Sequence, residues 1–151
     1  MRVTIVILSL FISIALSAQD VSGVQMDSLM TRAQVIEKFG EPISYKCNYS
    51  YLDEDVKYEL YYYGENDRLV FVDEKLYGFD VSTTRWTVLH SLVKGGVNIG
   101  DPLSKVSSLN LKMVDWLKTS DTYYVPCGEY PILINVGADS TIIKISYNYL
   151  H

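Results

Sequence analysis

Ile43, Tyr45, Cys47, Tyr49 and Tyr51 alternate with Ser44, Lys46, Asn48 and Ser50. A period of two sends successive side chains to opposite faces, so this stretch buries one face only as a β-strand. The same signature returns along the chain, punctuated by turn formers. A second strand is expected over residues 56–63, with Tyr58, Leu60 and Tyr62 on one face and Lys57, Glu59, Tyr61 and Tyr63 on the other. Gly64-Glu65-Asn66-Asp67 closes a hairpin into a strand over 68–72, and Asp73-Glu74-Lys75 turns into another over 76–81. Further strands are expected over 122–125, 130–136 and 141–149, the last two joined by Gly137-Ala138-Asp139-Ser140. Residues 111–117 read equally as helix or strand. Strands joined by such short turns make antiparallel meanders.

Two segments carry helical signals instead. Thr31 and Gln34 form a capping box, Ala33, Val35, Ile36 and Phe39 an apolar stripe, and Gly40-Glu41-Pro42 a stop. Later, Asp101 is placed as an N-cap with Pro102 at the first helical position, where its missing N–H costs nothing. Leu103, Val106 and Leu109 would then face inward. Val35 to Val106 is 71 positions and Gly64 to Gly137 is 73, so helix, strands and Gly-led hairpin recur with one spacing. The fold expected is α+β: two tandem units, about 27–94 and 95–151, each a short helix packed on an antiparallel sheet.

The first residues constrain location. Arg2, an apolar run from Val3 to Leu16, small Ser17-Ala18 and an abrupt polar exit read as a secretory signal peptide over 1–18. The run is shorter than the roughly 20 apolar residues a spanning helix needs. Cleavage leaves residues 19–151, one domain by size, with 12 basic against 18 acidic residues. That balance, with no basic cluster, argues against nucleic acid as a partner. The mature chain is expected to be soluble, periplasmic or extracellular, without a membrane span. In such a compartment Cys47 and Cys127, the two cysteines, form a possible disulfide.

Thr31-Arg32-Ala33-Gln34-Val35-Ile36-Glu37-Lys38-Phe39-Gly40-Glu41-Pro42 resembles the helix-to-Gly-x-Pro signature of the beta-lactamase-inhibitor-protein-like fold. The small domain of outer-membrane assembly lipoproteins shares that signature. Ile99-Gly100-Asp101-Pro102-Leu103-Ser104-Lys105-Val106 resembles its second copy. The resemblance implies tandem helix-plus-sheet units and a concave sheet presented to protein partners. The chain departs from it in lacking a lipidated cysteine and cysteine pairs within each half.

Catalytic and metal chemistry find little footing. His90 lies among apolar residues, His151 ends the chain, and there is no Cys-x-x-Cys. Asp53-Glu54-Asp55 is similar to the start of a calcium loop, but Tyr58 stands where such a loop needs glycine. The run from Gly95 to Gly100 lacks the Gly-Lys-Ser/Thr ending of a phosphate loop. Cys127 has no positive sequence neighbour to lower its pKa. No catalytic residue, metal or cofactor is expected.

Tyrosine is the excess, with 13 residues. It offers large contact area with only two torsions to freeze, and is enriched at protein interfaces. If Leu60 faces the helix-covered core, then Lys57, Glu59, Tyr61 and Tyr63 share the open face, beside Lys46 and Asn48 of the preceding strand. Those six residues are the expected protein-binding face, for a partner whose identity the sequence does not give. A secreted hydrolase with an unidentified carboxylate site and a structural envelope subunit are the alternatives.

Overall fold

A computed structural model describes residues 19–20, 30–49, 56–89, 92–114, 121–126 and 131–147. The expected leader, the acidic turn 53–55, His90, Cys127 and His151 lie outside them. Helix α1 spans Arg32–Phe39 with the expected capping box: Thr31 accepts from the Gln34 backbone while Gln34 reaches back to the Thr31 N–H at 2.8 Å. Gly40 ends it at φ 83°, a left-handed region open to glycine, and its N–H donates to the Ile36 carbonyl at 2.8 Å. The helix is stitched to the sheet at once, since Arg32 N–H donates to the Glu74 carbonyl and Leu76 N–H to the Met30 carbonyl.

In chain order the strands are β1 (Gln19–Asp20), β2 (Ser44–Tyr49), β3 (Lys57–Tyr62), β4 (Arg68–Val72), β5 (Lys75–Val81) and β6 (Trp86–Val88). Then come β7 (Val97–Asn98), β8 (Lys112–Met113), β9 (Thr122–Val125), β10 (Ile132–Val136) and β11 (Ile142–Tyr147). Eight of them form one antiparallel sheet in the order β2-β3-β4-β5-β11-β10-β9-β8. It consists of two four-stranded meanders fused where β5 meets β11, with Val81 opposite Ile145 and Asp80 opposite Ser146. A small second sheet, β1-β6-β7, stands apart.

One face of the large sheet carries the core. Val35 and Phe39 of α1 join Tyr61, Leu69, Phe71, Phe79, Ile145 and Ile134 from five strands. Trp86 and Val88 of β6 and Val97 of β7 belong to the same cluster. The fully buried Trp86 ring meets Phe39 edge-on at 5.2 Å and Tyr63 at 5.3 Å, the offset geometry that aromatic pairs favour. Each fully buried large side chain here contributes about 1.5–3 kcal/mol.

The expectation of two helix-on-sheet units is corrected. Among the described residues there is one α-helix, and the second helical segment is a single 3₁₀ turn, Leu103–Val106. The cause is local. The Asp101 carboxylate does not cap that turn; it accepts from the Asn98 N–H and the Lys105 ammonium, both at 2.7 Å. The backbone around it pairs with the β10–β11 hairpin instead: Gly100 N–H donates to the Ile142 carbonyl, Ile142 N–H to Asp101, and Leu103 N–H to Ser140. With the Asp101 carbonyl, the first acceptor a helix here would use, given to Ile142, Lys105 N–H donates to the Pro102 carbonyl instead and only a 3₁₀ turn forms. The architecture is a mainly antiparallel sheet with one helix, and the helix-plus-sheet duplication that the resemblance implies is not what the chain adopts. No helix among the described residues is long and apolar enough to cross a membrane.

Candidate functional site

The register decides which side chains meet. Tyr45 stands opposite Tyr61 and Cys47 opposite Glu59, while Lys46 stands opposite Leu60 and Asn48 opposite Tyr58. Directly opposed residues share a face. The six expected binding residues are therefore split between two faces rather than brought together.

Lys57, Glu59, Tyr61 and Tyr63 lie on the core side, which reverses the expected orientation of β3. Tyr61 is 7% exposed, with the Phe71 ring 4.9 Å away. Tyr63 is 3% exposed and its hydroxyl donates to the Gly40 carbonyl at 3.0 Å, pinning the end of α1. Burial pushes its phenol up to about 12, helped by Glu41 and Tyr61 and opposed by the Arg85 guanidinium over the ring. Glu59 is buried as well, accepting from Arg32 of α1 at 3.0 Å and from Lys57 at 3.2 Å. These are structural residues; of the four only Lys57 is exposed.

Lys46 and Asn48 are exposed, on the opposite face. There a continuous register row crosses all eight strands: Ser44, Tyr62, Arg68, Asp80, Ser146, Leu133, Tyr124 and Lys112. Leu60, Val70 and Val72 on this same face are buried, outside the cluster that α1, β6 and β7 join. At the seam of the meanders Asp80 accepts from Arg68 Nε at 2.9 Å and from Arg68 Nη2, with Lys144 Nζ at 3.4 Å. Burial alone would raise the Asp80 pKa, but the Ser146 hydrogen bond, Arg68 and Lys144 outweigh it and hold the carboxyl below its usual range.

Around this cluster opens a cleft of about 530 Å³, lined by Tyr62, Asn66, Arg68, Asp80, Ser82 and Lys144 with Glu65 and Ile143. Lys46 holds its ammonium 5.8 Å from the Tyr62 ring centre, on the β2 side of the cleft. Its polar groups suit recognition. Asp80 is held as a carboxylate between two cations, a poor proton donor. The Ser82 backbone N–H is committed to Asp67 at 2.8 Å, and no histidine falls among the described residues. Nor do they contain a group of three or more metal-ligating side chains. Sequence reasoning missed Tyr62, Arg68, Asp80 and Lys144. Their alternation was visible, but the β5–β11 pairing that gathers them joins positions 64 residues apart.

Cys47 is an exposed thiol on β2. Cys127, the other half of the expected bridge, lies outside the described residues.

No family model matches the chain, and no curated protein does. Among solved structures it is similar to an extracellular protein containing a SCP domain from Bacillus anthracis str. Ames, at 12% identity and a TM-score of 0.47. The match covers 79% of this chain and 43% of that one.

Proposed function

We propose that this chain is an exported, non-catalytic domain that binds a protein partner through the face of its eight-stranded sheet opposite α1. One observation carries the reading: the row from Ser44 to Lys112, which sets a tyrosine or a charge on five of the eight strands and opens into the cleft at Arg68, Asp80 and Lys144. Broad sheet faces with tyrosine and arginine beside satisfied charges have the composition of recognition surfaces. Export is supported by the charge, apolar run and small residues of positions 2–18. The test is capture of envelope and secreted proteins by the mature domain and by the Tyr62→Ala, Lys144→Ala variant. Loss of an anchoring tyrosine costs about 2 kcal/mol, so capture should weaken roughly 30-fold. The control is Glu37→Ala, an exposed position on α1. A partner that ignores the sheet variant but is lost with the control would place recognition on the helix side and end the proposal.

A further inference from the structure

The two edges of the large sheet are treated differently. One ends in β8, two residues long and carrying Lys112, a short charged edge of the kind that discourages further pairing. The other ends in β2, six residues with no proline and one charge. Residues 43–48 are all exposed, and among the described residues no strand pairs with the outer side of β2. Ile43 at 77% and Tyr45 at 63% are the most exposed large apolar side chains described, and both lie on this edge in phase with the free Cys47.

We propose that β2 is a self-association edge: two copies of this chain pair antiparallel, β2 to β2, about a two-fold axis at Cys47, extending the sheet to sixteen strands. The inference is independent of the binding proposal above. Three features favour a second copy over another partner. An antiparallel strand paired with itself about a two-fold is isologous and closes after two subunits. The only charge in the strand, Lys46, then stands opposite the neutral Asn48 of the partner subunit, so no like charges face each other. Tyr45 and Cys47 of each copy fall on one face, making a mixed aromatic and thiol row across the join.

The thiols measure the register. Directly opposed residues of antiparallel strands have Cα atoms about 4.5–5.5 Å apart, inside the roughly 4.4–6.8 Å range of a disulfide. A slip of one residue puts the two thiols on opposite faces, and a slip of two moves them about 7–8 Å apart. Glutathione disulfide is the oxidant for the test. One Cys47 thiolate attacks it, forming a mixed disulfide and releasing glutathione thiolate. The second Cys47 thiolate attacks the protein sulfur of that mixed disulfide and releases the other glutathione. The two protons lost by the cysteines end on the two glutathiones, and glutathione disulfide is the species reduced.

The experiment uses the mature chain with Cys127→Ser, so that Cys47 is the sole thiol. Analytical ultracentrifugation over a concentration series should show a monomer–dimer equilibrium without larger species, and glutathione disulfide should convert the dimer to a covalent one. Asn48→Lys places like charges across the axis and should weaken dimerisation roughly ten-fold, slowing cross-linking in parallel. Adding Lys46→Glu makes that pair opposite in sign and should restore both. Thermal melts of all variants confirm folding. A monomer at every concentration, an open-ended series of oligomers, or cross-linking indifferent to Asn48→Lys and its rescue would each overturn the proposal.

Discussion

Asp67 is the carboxylate on which the β3–β4 turn and the β5–β6 corner both depend. It is 1% exposed, and among the described residues it is held by hydrogen bonds from Ser82, Thr83 and Trp86. Oδ2 accepts from the Trp86 indole N–H at 2.7 Å and from the Thr83 hydroxyl, and Oδ1 accepts from the Ser82 backbone at 2.8 Å. Asp67→Ala leaves the fully buried Trp86 N–H without an acceptor, which costs about 1–3 kcal/mol. The half-buried Ser82 N–H adds about 1 kcal/mol, while the exposed Thr83 hydroxyl turns to water at little cost. Relief of the buried carboxylate offsets part of this, leaving a net loss of about 2 kcal/mol. With an unfolding entropy of about 2.1 cal/mol/K per residue over ~130 residues, that lowers Tm by about 7 °C.

Differential scanning calorimetry and urea unfolding check the figure. In a Trp86→Phe background the indole donor is already gone, so Asp67→Ala should cost less there by about 1–2 kcal/mol. A Tm loss below about 3 °C for the single variant, or strict additivity in the cycle, would refute the assignment of Asp67 as the acceptor that anchors Trp86.

Tyr61→Ala and Tyr63→Ala each remove a core ring and should cost about 3–5 kcal/mol, read by denaturant unfolding. Tyr63 also sets an alkaline limit. Its phenol is raised in the folded state, so its contribution is complete below pH 10 and is lost as pH climbs toward about 12. That window is worth about 2.7 kcal/mol at most, and Tyr63→Phe should flatten it in urea titrations at stepped pH. Asp80 works in the other direction. Its lowered carboxyl adds stability above its unfolded value near 3.9, lost as pH falls below, and Asp80→Asn should remove that acid dependence from the Tm profile. Finally, with Cys47 an exposed thiol, reduction of the monomer should leave its Tm unchanged and Cys47 open to alkylation under native conditions; a clear Tm fall on reduction would instead show the intramolecular bridge to Cys127.

Strand positions were legible because alternation and turns are local. β4 and β9 fall on the expected residues, and β2, β3 and β5 within two of them. Strand facing was not. In β3 both Leu60 and Tyr61 are buried, so alternation alone gives two consistent solutions. What separates them is Arg32 reaching Glu59 from a helix 27 positions earlier, together with the Tyr63 hydroxyl bond to Gly40. Each is a long-range contact between polar atoms, invisible to a hydrophobic pattern. The second helix failed for a similar reason, since Asp101 and Pro102 form a good start signal whose donors and acceptors a distant hairpin claims.

The seam between the meanders links the fold to the face proposed for binding. A sheet made by joining two hairpin stacks needs something to hold β5 against β11, and the described pairing there covers three residue pairs. On the core side Val81 and Ile145 bury the join completely. On the other side Arg68 of β4 and Lys144 of β11 close on Asp80 of β5, so one ion cluster spans three strands and also lines the cleft. Substitutions at Asp80 therefore loosen the seam and alter the cleft together, and their effects on stability and binding are coupled. Tyr62 and Lys46 lie on the same face but away from the seam. If the proposed face binds a partner, its affinity should follow these two positions while the melting curve does not.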